Sequence, residues 1–208
     1  HFYGHQFKVN GHTLIPRQET EELVQWIIDD HKGKLVETIL DIGTGSGCIG
    51  VSLGHAFAKA NSSKKPLQVT LMDISQNVLQ VARSNAKAIT PEVSFIYSDQ
   101  DILKTEVLDS YDIIVSNPPY VRELEKSELH KNVLEYEPAS ALFVEDADAL
   151  VFYRKILELA SKQEKPLVYF EINQYLQEQM LELANNLSYT SEIRKDLNGN
   201  YRMMKCWK

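Results

Sequence analysis

Short apolar runs alternate along the chain with amphipathic stretches of helical period. The runs are rich in β-branched residues and are bounded by polar residues, which is typical of strands buried in a parallel sheet. They predict strands at residues 38–42, 69–72, 93–97, 113–116 and 167–170. The amphipathic and charged stretches predict helices at residues 18–30, 48–60, 76–88, 122–131, 148–162 and 173–184. This alternation indicates an α/β fold with a doubly wound, mostly parallel sheet.

Asparagine-glycine pairs predict a β-hairpin near each end of the sequence. One pair, at residues 10–11, lies within the irregular entry segment 1–14, and another, at 198–199, separates residues 191–197 from 201–207. Such pairs favour tight hairpin turns because their central positions tolerate positive φ angles. The later hairpin would bring the sheet to seven strands with an antiparallel edge.

Composition narrows the class of protein. The 208 residues carry a formal net charge of −7, which argues against a surface that holds nucleic acid by its phosphates. Cys48 and Cys206 are far apart and none of the six histidines has a ligand spacing, so neither a disulfide framework nor a metal site is expected. No apolar run approaches the ~20 residues of a membrane span, and no signal peptide opens the chain. We expect a cytoplasmic monomer with reduced thiols, bound neither to a membrane nor stably to nucleic acid.

A glycine-rich turn at residues 41–50 joins the first predicted strand to the helix after it. This order is typical of nucleotide-binding units, because glycines let backbone amides approach a ligand. The spacing fits two fingerprints, GxGxxG of dinucleotide sites and DxGxGxG of S-adenosylmethionine sites. Asp41 favours the second, since its charge would lie near a ligand ammonium but would repel a pyrophosphate. The cofactor candidates in this turn are Asp41, Gly43, Thr44, Gly45, Ser46 and Gly47.

Polar residues also follow the next two predicted strands. Asp73 follows the second strand, with Ile74 beside it, and is placed to accept both hydroxyls of a ribose, which either cofactor would offer. Asp99 and Gln100 follow the third strand and are expected on the adenine side of the same crevice. Ligands of open α/β sheets bind outside the carboxyl ends of the strands. These four residues therefore join the glycine-rich turn as cofactor candidates.

The sequence Asn117-Pro118-Pro119-Tyr120 follows the fourth predicted strand. The prolines end the strand and hold Asn117 in an extended conformation at its carboxyl end. The Asn117 side-chain oxygen and the Pro118 carbonyl could each accept one N–H of a planar NH₂ group, while the Tyr120 ring packs against its plane. These four residues are the catalytic candidates. A rigid strand-to-loop turn without chemistry is the alternative interpretation of the same residues.

Taken together, these motifs resemble the Rossmann-like class I S-adenosylmethionine-dependent methyltransferases, whose (D/N/S)PP(Y/F) motif serves methylation of planar nitrogens. Residues 15–24 (IPRQETEELV), 135–138 (EYEP) and 152–154 (FYR) resemble the HemK family of peptide chain release factor glutamine N5-methyltransferases more narrowly. The resemblance implies S-adenosylmethionine as cofactor and S-adenosylhomocysteine as product. It also implies that the substrate is the glutamine of the Gly-Gly-Gln motif in release factors. By the same resemblance, Arg17, Glu19 and Thr20 help to shape the cofactor pocket.

The chain departs from the family pattern in three places. Many members have proline where this chain has Gln18, and a glycine-containing segment where it has residues 144–149. The family also carries a small helical domain ahead of the first hairpin. We therefore expect a catalytic-domain fragment, in which a hairpin and first helix at residues 1–30 pack on a methyltransferase domain at residues 31–208.

Other functions remain open at this stage. An amino-methyltransferase acting on a flipped nucleic-acid base would use the same motif, but would need a basic face or a target-recognition domain. Methylation of glutamine in a ribosomal protein lies within the wider family. A non-catalytic sensor of an adenosyl ligand would have little use for an intact Asn-Pro-Pro-Tyr motif.

Overall fold

The computed structural model describes residues 1–60, 66–122, 138, 143–144 and 148–208. Within them, helices flank a seven-stranded sheet, and a two-stranded pair stands apart from it. The helices are α1 (Gln18–Asp30), α2 (Cys48–Ala60), α3 (Gln76–Ile89), α4 (Val151–Ala160) and α5 (Gln177–Asn186). The strands are β1 (Thr38–Ile42), β2 (Gln68–Met72), β3 (Ser94–Ser98), β4 (Ile113–Ser116), β5 (Val121–Arg122), β6 (Phe143–Val144), β7 (Leu167–Glu171), β8 (Thr190–Lys195) and β9 (Tyr201–Trp207).

The main sheet has the strand order β3-β2-β1-β4-β7-β9-β8. The first five strands in this order, β3, β2, β1, β4 and β7, each run parallel to their neighbours among the five. Strand β9 then runs antiparallel between β7 and β8. The predicted doubly wound, mostly parallel sheet with an antiparallel C-terminal hairpin is confirmed.

Alternation along the central strands divides the core into two layers. On β1, Ile39 packs into a cluster with α1, α2 and α3, whereas the next residue, Leu40, packs into a cluster with α4 and α5. Both residues are fully buried, because a strand covered on both faces must be apolar on both. Phe2 and Leu23 belong to the first cluster, so the N-terminal segment and α1 share the core of the sheet.

The hairpin predicted within residues 1–14 is wrong. The Asn-Gly pair does form a turn, in which the Thr13 N–H donates to the Asn10 carbonyl at 3.1 Å. The flanking segments do not pair as strands, and only a single bridge joins Phe2 and His5 within residues 1–14. Backbone groups of this segment find tertiary partners instead, since both the N–H and the carbonyl of Lys8 bond to a side chain of α3.

One predicted helix begins later than expected, and another lies almost entirely outside the described residues. Helix α4 begins at Val151, because Asp148 forms an ion pair with Arg154 at 2.8 Å in place of capping a helix. The helix predicted at residues 122–131 lies outside the described residues, apart from Arg122 in β5.

The crevice of the sheet lies between β1 and β4. The helix after β1 packs on one face of the sheet, and α4, which follows β4, packs on the other. Such a reversal opens a ligand-sized gap outside the carboxyl ends of the two strands. In the part of the chain that the structure describes, no helix has the length and apolarity to cross a membrane, and no three His, Cys, Asp or Glu side chains cluster as metal ligands.

Candidate active site

A cavity of about 400 Å³ opens at this crevice. Its walls come from the segment before α1, the turns after β1, β2, β3 and β4, and one face of α4. The sequence candidates that line it are Arg17, Thr20, Gly43, Thr44, Gly45, Ser46, Asp73, Ile74, Gln100, Asn117, Pro118 and Pro119. The fold therefore brings residues from separate motifs around one space.

Asp41 lies beneath the glycine-rich turn and is fully buried, away from the cavity surface. Its Oδ2 accepts a hydrogen bond from Thr44 Oγ1 at 2.6 Å and another from the Gly50 N–H at 2.9 Å. Burial raises the pKa of Asp41 to about 6, although these two hydrogen bonds favour the charged form. The carboxyl group thus shapes the turn from below.

Glycines in the turn serve two different purposes. Gly43 and Gly45 have φ angles of 69° and 55°, in the left-handed region that favours glycine, and a Cβ on either would meet no atom within 4 Å. A Cβ on Gly50, in contrast, would lie 2.4 Å from Leu71 Cδ2 and 3.0 Å from Asp41 Oδ2. The first two glycines turn the chain beside open space, whereas Gly50 lets α2 approach the sheet.

Asp73 lines the cavity at the carboxyl end of β2. Its Oδ2 accepts the Gly45 N–H at 3.2 Å and its Oδ1 accepts the Ser75 N–H at 3.0 Å. A carboxylate oxygen accepts two hydrogen bonds, so each retains capacity for a ligand. Burial raises the pKa of Asp73. Ile74 follows with 67% of its surface exposed and adds an apolar wall.

Gly47, Asp99 and Glu19, like Asp41, are predicted cofactor residues that do not line the cavity. Asp99 is exposed and accepts a hydrogen bond from Gln76 Nε2 at 2.8 Å, whereas its neighbour Gln100 lines the cavity. Glu19 is half-buried on α1 and does not reach the cavity wall. The apolar residues Ile102 and Leu103 line the same wall as Gln100, although the sequence interpretation did not include them.

Asn117 stands at the mouth of the cavity directly after β4. The strand end is fixed from one side by Ser116, whose Oγ donates to the Ile42 carbonyl at 2.7 Å. The Asn117 side chain is half-buried and makes no hydrogen bond to any other residue that the structure describes. Pro118 and Pro119 line the cavity, and neither has a backbone N–H. These two positions therefore offer no backbone hydrogen-bond donor to a guest.

Tyr120 points away from the cavity and into the protein. Its hydroxyl donates to Glu171 Oε1 at 2.8 Å, and Thr20 Oγ1 donates to Glu171 Oε2 at 2.6 Å. Burial, followed by the neighbouring Glu171 charge, raises the pKa of Tyr120 well above its usual range. Tyr120 is not among the residues that line the cavity, and its hydroxyl joins the turn after β4 to α1 through Glu171.

Glu171 is the centre of this connection, at the carboxyl end of β7 and 1% exposed. Burial raises its pKa, while the hydrogen bonds from Thr20 and Tyr120 lower it. Close by, Asn173 Nδ2 donates to the Tyr120 carbonyl at 2.9 Å, and the Tyr153 hydroxyl donates to the Glu171 carbonyl at 3.0 Å. The last residue of β7 and Asn173, which follows the strand, thus clamp the Asn-Pro-Pro-Tyr turn at the side chain and at the backbone of Tyr120.

The sequence interpretation missed Glu171 and part of the apolar wall. An acid that ends a buried apolar strand was the available signal for Glu171, since β7 reads Leu-Val-Tyr-Phe-Glu. The missed lining residues come from the segment before α1 and from α4, and they include His12, Leu14, Phe152 and Ile156. These residues line the cavity only because distant segments of the chain meet there, and a short sequence motif does not predict such contacts.

Comparison with known proteins agrees with the fold. Residues 19–157 match the family model described as "Methyltransferase small domain". The release factor glutamine methyltransferase of Flavobacterium psychrophilum is 50% identical over 98% of this chain and 71% of its own length. That of Bacteroides thetaiotaomicron is 41% identical, with the same two coverages of 98% and 71%.

A solved structure shares the fold. It is the protein-(glutamine-N5) methyltransferase (release factor-specific) of Alicyclobacillus acidocaldarius subsp. acidocaldarius, with a TM-score of 0.52 and 23% identity, covering 93% of this chain and 94% of that one. The identity of 50% along nearly the whole chain, together with the matching family model, shows that this protein belongs to the release factor glutamine methyltransferase family.

Proposed function

We propose that this protein transfers a methyl group from S-adenosylmethionine to the side-chain amide nitrogen of glutamine in the Gly-Gly-Gln motif of peptide chain release factors. Its family membership supports both the reaction and the class of substrate. The observation that carries the proposal is the Asn117 amide, which stands at the cavity wall with its hydrogen-bonding capacity free of other described residues. A planar NH₂ group is the guest that this wall would orient.

The cavity walls fit S-adenosylmethionine. Asp73 keeps acceptor capacity for ribose hydroxyls, and Ile74 offers an apolar surface beside it. At the glycine-rich turn, Ser46 lines the cavity and its Oγ is buried without a hydrogen-bond partner in the described residues, which suits a ligand with a polar amino-acid end. The volume of about 400 Å³ lies within the ordinary range of cofactor pockets, about 300–1,000 Å³.

Orientation is the main task of the protein in this reaction. The bound cofactor supplies an electrophilic methyl group on a sulfonium sulfur. An amide nitrogen is a poor nucleophile, because its lone pair is delocalised into the carbonyl. Asn117 Oδ1 and the Pro118 carbonyl would each accept one N–H of the substrate amide and so fix its plane in a near-attack alignment. No base needs to act beforehand, since the nitrogen proton becomes acidic once the methyl group has transferred.

The shape of the wall favours a slim side chain. Asn117 lies between the end of a buried strand and the two prolines that follow it. Its backbone therefore cannot move aside for a bulky guest. Glutamine is narrow and flexible, and glycines before it give a backbone that can enter the same space. A net charge of −7 also suits a folded protein partner better than a polyanion.

The proposal is tested by offering several substrates side by side with labelled S-adenosylmethionine. These are a release factor, its Gln→Ala variant at the Gly-Gly-Gln motif, a glutamine-containing ribosomal protein, and single-stranded and duplex DNA. We expect mass spectrometry to find one added methyl group, on the motif glutamine of the intact release factor only.

The Asn117→Ala variant controls for methyl transfer by contaminating enzymes. It should methylate every substrate only weakly. Methylation that persists on the Gln→Ala release factor, or that occurs only on DNA or on the ribosomal protein, would overturn the proposed substrate.

A further inference from the structure

The segment before α1 forms one wall of the cavity without regular secondary structure. His12, Leu14, Pro16 and Arg17 line the cavity, and within residues 1–17 only the bridge between Phe2 and His5 resembles strand pairing. A wall of this kind has no hydrogen-bond ladder of its own to keep its position. It must therefore be held by bonds to other elements.

Asn85, on α3, provides such bonds. Its Oδ1 accepts the Lys8 N–H at 2.8 Å, and its Nδ2 donates to the Lys8 carbonyl at 2.9 Å. The side-chain amide thus pairs with both backbone groups of one residue, as a neighbouring strand would. Asn85 is only 1% exposed, so loss of its Lys8 partners would leave a buried amide unpaired.

The same amide also reaches the glycine-rich turn. Asn85 Nδ2 donates to the Ser46 carbonyl at 2.8 Å. On the other side of that peptide, the Gly47 N–H donates to the Thr44 carbonyl at 2.8 Å. The peptide between Ser46 and Gly47 is therefore fixed from both ends. One side chain holds this peptide and the segment at Lys8 at the same time.

We propose that Asn85 is a positioning residue that locks the wall formed by residues 8–17 to the glycine-rich turn and thereby sets the shape of the cofactor cavity. Asn85 does not line the cavity itself, so it acts through Lys8 and Ser46. Its two amide hydrogens and its oxygen are all engaged, which excludes replacement by aspartate, because a carboxylate has no hydrogen to donate. This inference rests on the proposed cofactor site, but not on the identity of the methylated substrate.

The first test compares Asn85→Ala with Ser84→Ala, a change at an exposed neighbour on the same helix. Calorimetry measures the Kd of S-adenosylhomocysteine, and hydrogen exchange without ligand follows residues 8–17. We expect Asn85→Ala to raise the Kd about 10-fold or more and to speed exchange in residues 8–17. Turnover at saturating cofactor should stay within about threefold of the parent, because Asn117 is untouched. Ser84→Ala should match the parent in every measurement.

A second variant approaches the same bonds from the other side. Lys8→Pro removes the backbone N–H that Asn85 accepts, and leaves the buried amide in place. Lys8→Ala is its matched control, since it removes an exposed side chain and keeps the N–H. We expect weaker cofactor binding and faster exchange in residues 8–17 for Lys8→Pro alone. If Asn85→Ala fails to fold, this pair of variants decides the matter.

The outcomes separate this inference from the proposed function. Folded Asn85→Ala or Lys8→Pro protein that keeps the parent's Kd and exchange pattern would overturn the positioning role. A parent protein that does not bind S-adenosylhomocysteine would instead contradict the proposed cofactor, while exchange in residues 8–17 would still show whether Asn85 holds the segment.

Discussion

The two halves of the cavity are built in different ways. We name the turn at residues 41–50 together with Asp73 the proposed cofactor half, and residues 117–120 with Thr20 and Glu171 the proposed substrate half, each including residues that support the cavity from outside its lining. In the cofactor half, some of the bonds that hold the turn join near neighbours, such as Asp41 to Thr44 and Gly50, while others reach Asp73 and Asn85, which lie 28 and 39 positions away. In the substrate half, the bonds to Glu171 span 51 positions from Tyr120 and 151 positions from Thr20. The glycine-rich turn thus carries part of its own support, whereas the Asn-Pro-Pro-Tyr turn depends on distant residues.

The largest effect should come from the cofactor half. Asp73→Ala removes the acceptors for two ribose hydroxyls, each bond to a charged group being worth about 1.5–3 kcal/mol. We expect the Kd of S-adenosylhomocysteine to rise by about 10²–10⁴-fold in calorimetry. The matched control is Asp99→Ala, which removes an exposed acid away from the cavity. Equal weakening by the two changes, or tighter binding of NAD than of the adenosyl ligand by the parent, would contradict the assignment.

Asn117→Ala should separate chemistry from cofactor binding. Removal of one preorganised polar group lowers kcat by about 10²–10³-fold, while the Kd of S-adenosylhomocysteine stays within about threefold. Single-turnover methylation of a release factor, combined with calorimetry, measures both quantities. Asn186→Ala, at an exposed asparagine of α5, is the control, and Asn117→Asp should keep part of the activity because an oxygen acceptor remains. Parent-like turnover by Asn117→Ala would remove the basis for the proposed orientation.

The buried acid under the cofactor half should make stability depend on pH. The pKa of Asp41 in the folded protein is about 6, above its usual value of 3.8, so folding favours the protonated form. Its contribution to the free energy of unfolding is thus fully present below pH 3.8 and is lost as pH rises through about 6. This loss approaches about 3 kcal/mol at most.

Asp41→Asn cannot ionise and should not show this loss. Denaturant unfolding at several pH values between 3.8 and about 6 should therefore find the parent losing stability relative to Asp41→Asn as pH rises. Asp99→Asn, at an exposed position, should follow the parent. Parallel pH curves for the parent and Asp41→Asn would show that Asp41 titrates normally.

The smallest effect should come from the long-range support of the substrate half. Tyr120→Phe and Glu171→Gln should each lower kcat about 10-fold with little change in cofactor Kd, because the turn that carries Asn117 loses its clamp. The double variant should lose little more than either single one, since both changes break the same bond. Tyr189→Phe is the control, because it removes a hydroxyl bond to the Leu157 carbonyl elsewhere in the core. Additive losses in kcat would show that Tyr120 and Glu171 act separately.

The contrast between the halves also explains what the sequence could reveal. Strand β1 and helix α2 have their predicted bounds, because an apolar run and a glycine-rich turn define them locally. Glu171 was not predicted as a site residue, because its partner Tyr120 lies 51 positions away. The hairpin near Asn10 failed for the same reason, since the backbone of Lys8 bonds to Asn85, which lies 77 positions away.

The close approach at Gly50 bears on how glycine fingerprints classify proteins. This residue completes the dinucleotide spacing GxGxxG, yet a Cβ there would collide with Leu71 at 2.4 Å and would meet no part of the cavity wall. Its glycine therefore encodes the distance between a helix and a sheet, which any tightly wound βα unit has to satisfy. Proteins that bind two unrelated classes of cofactor can therefore share a glycine at this position, because in both the helix has to pack closely on the sheet.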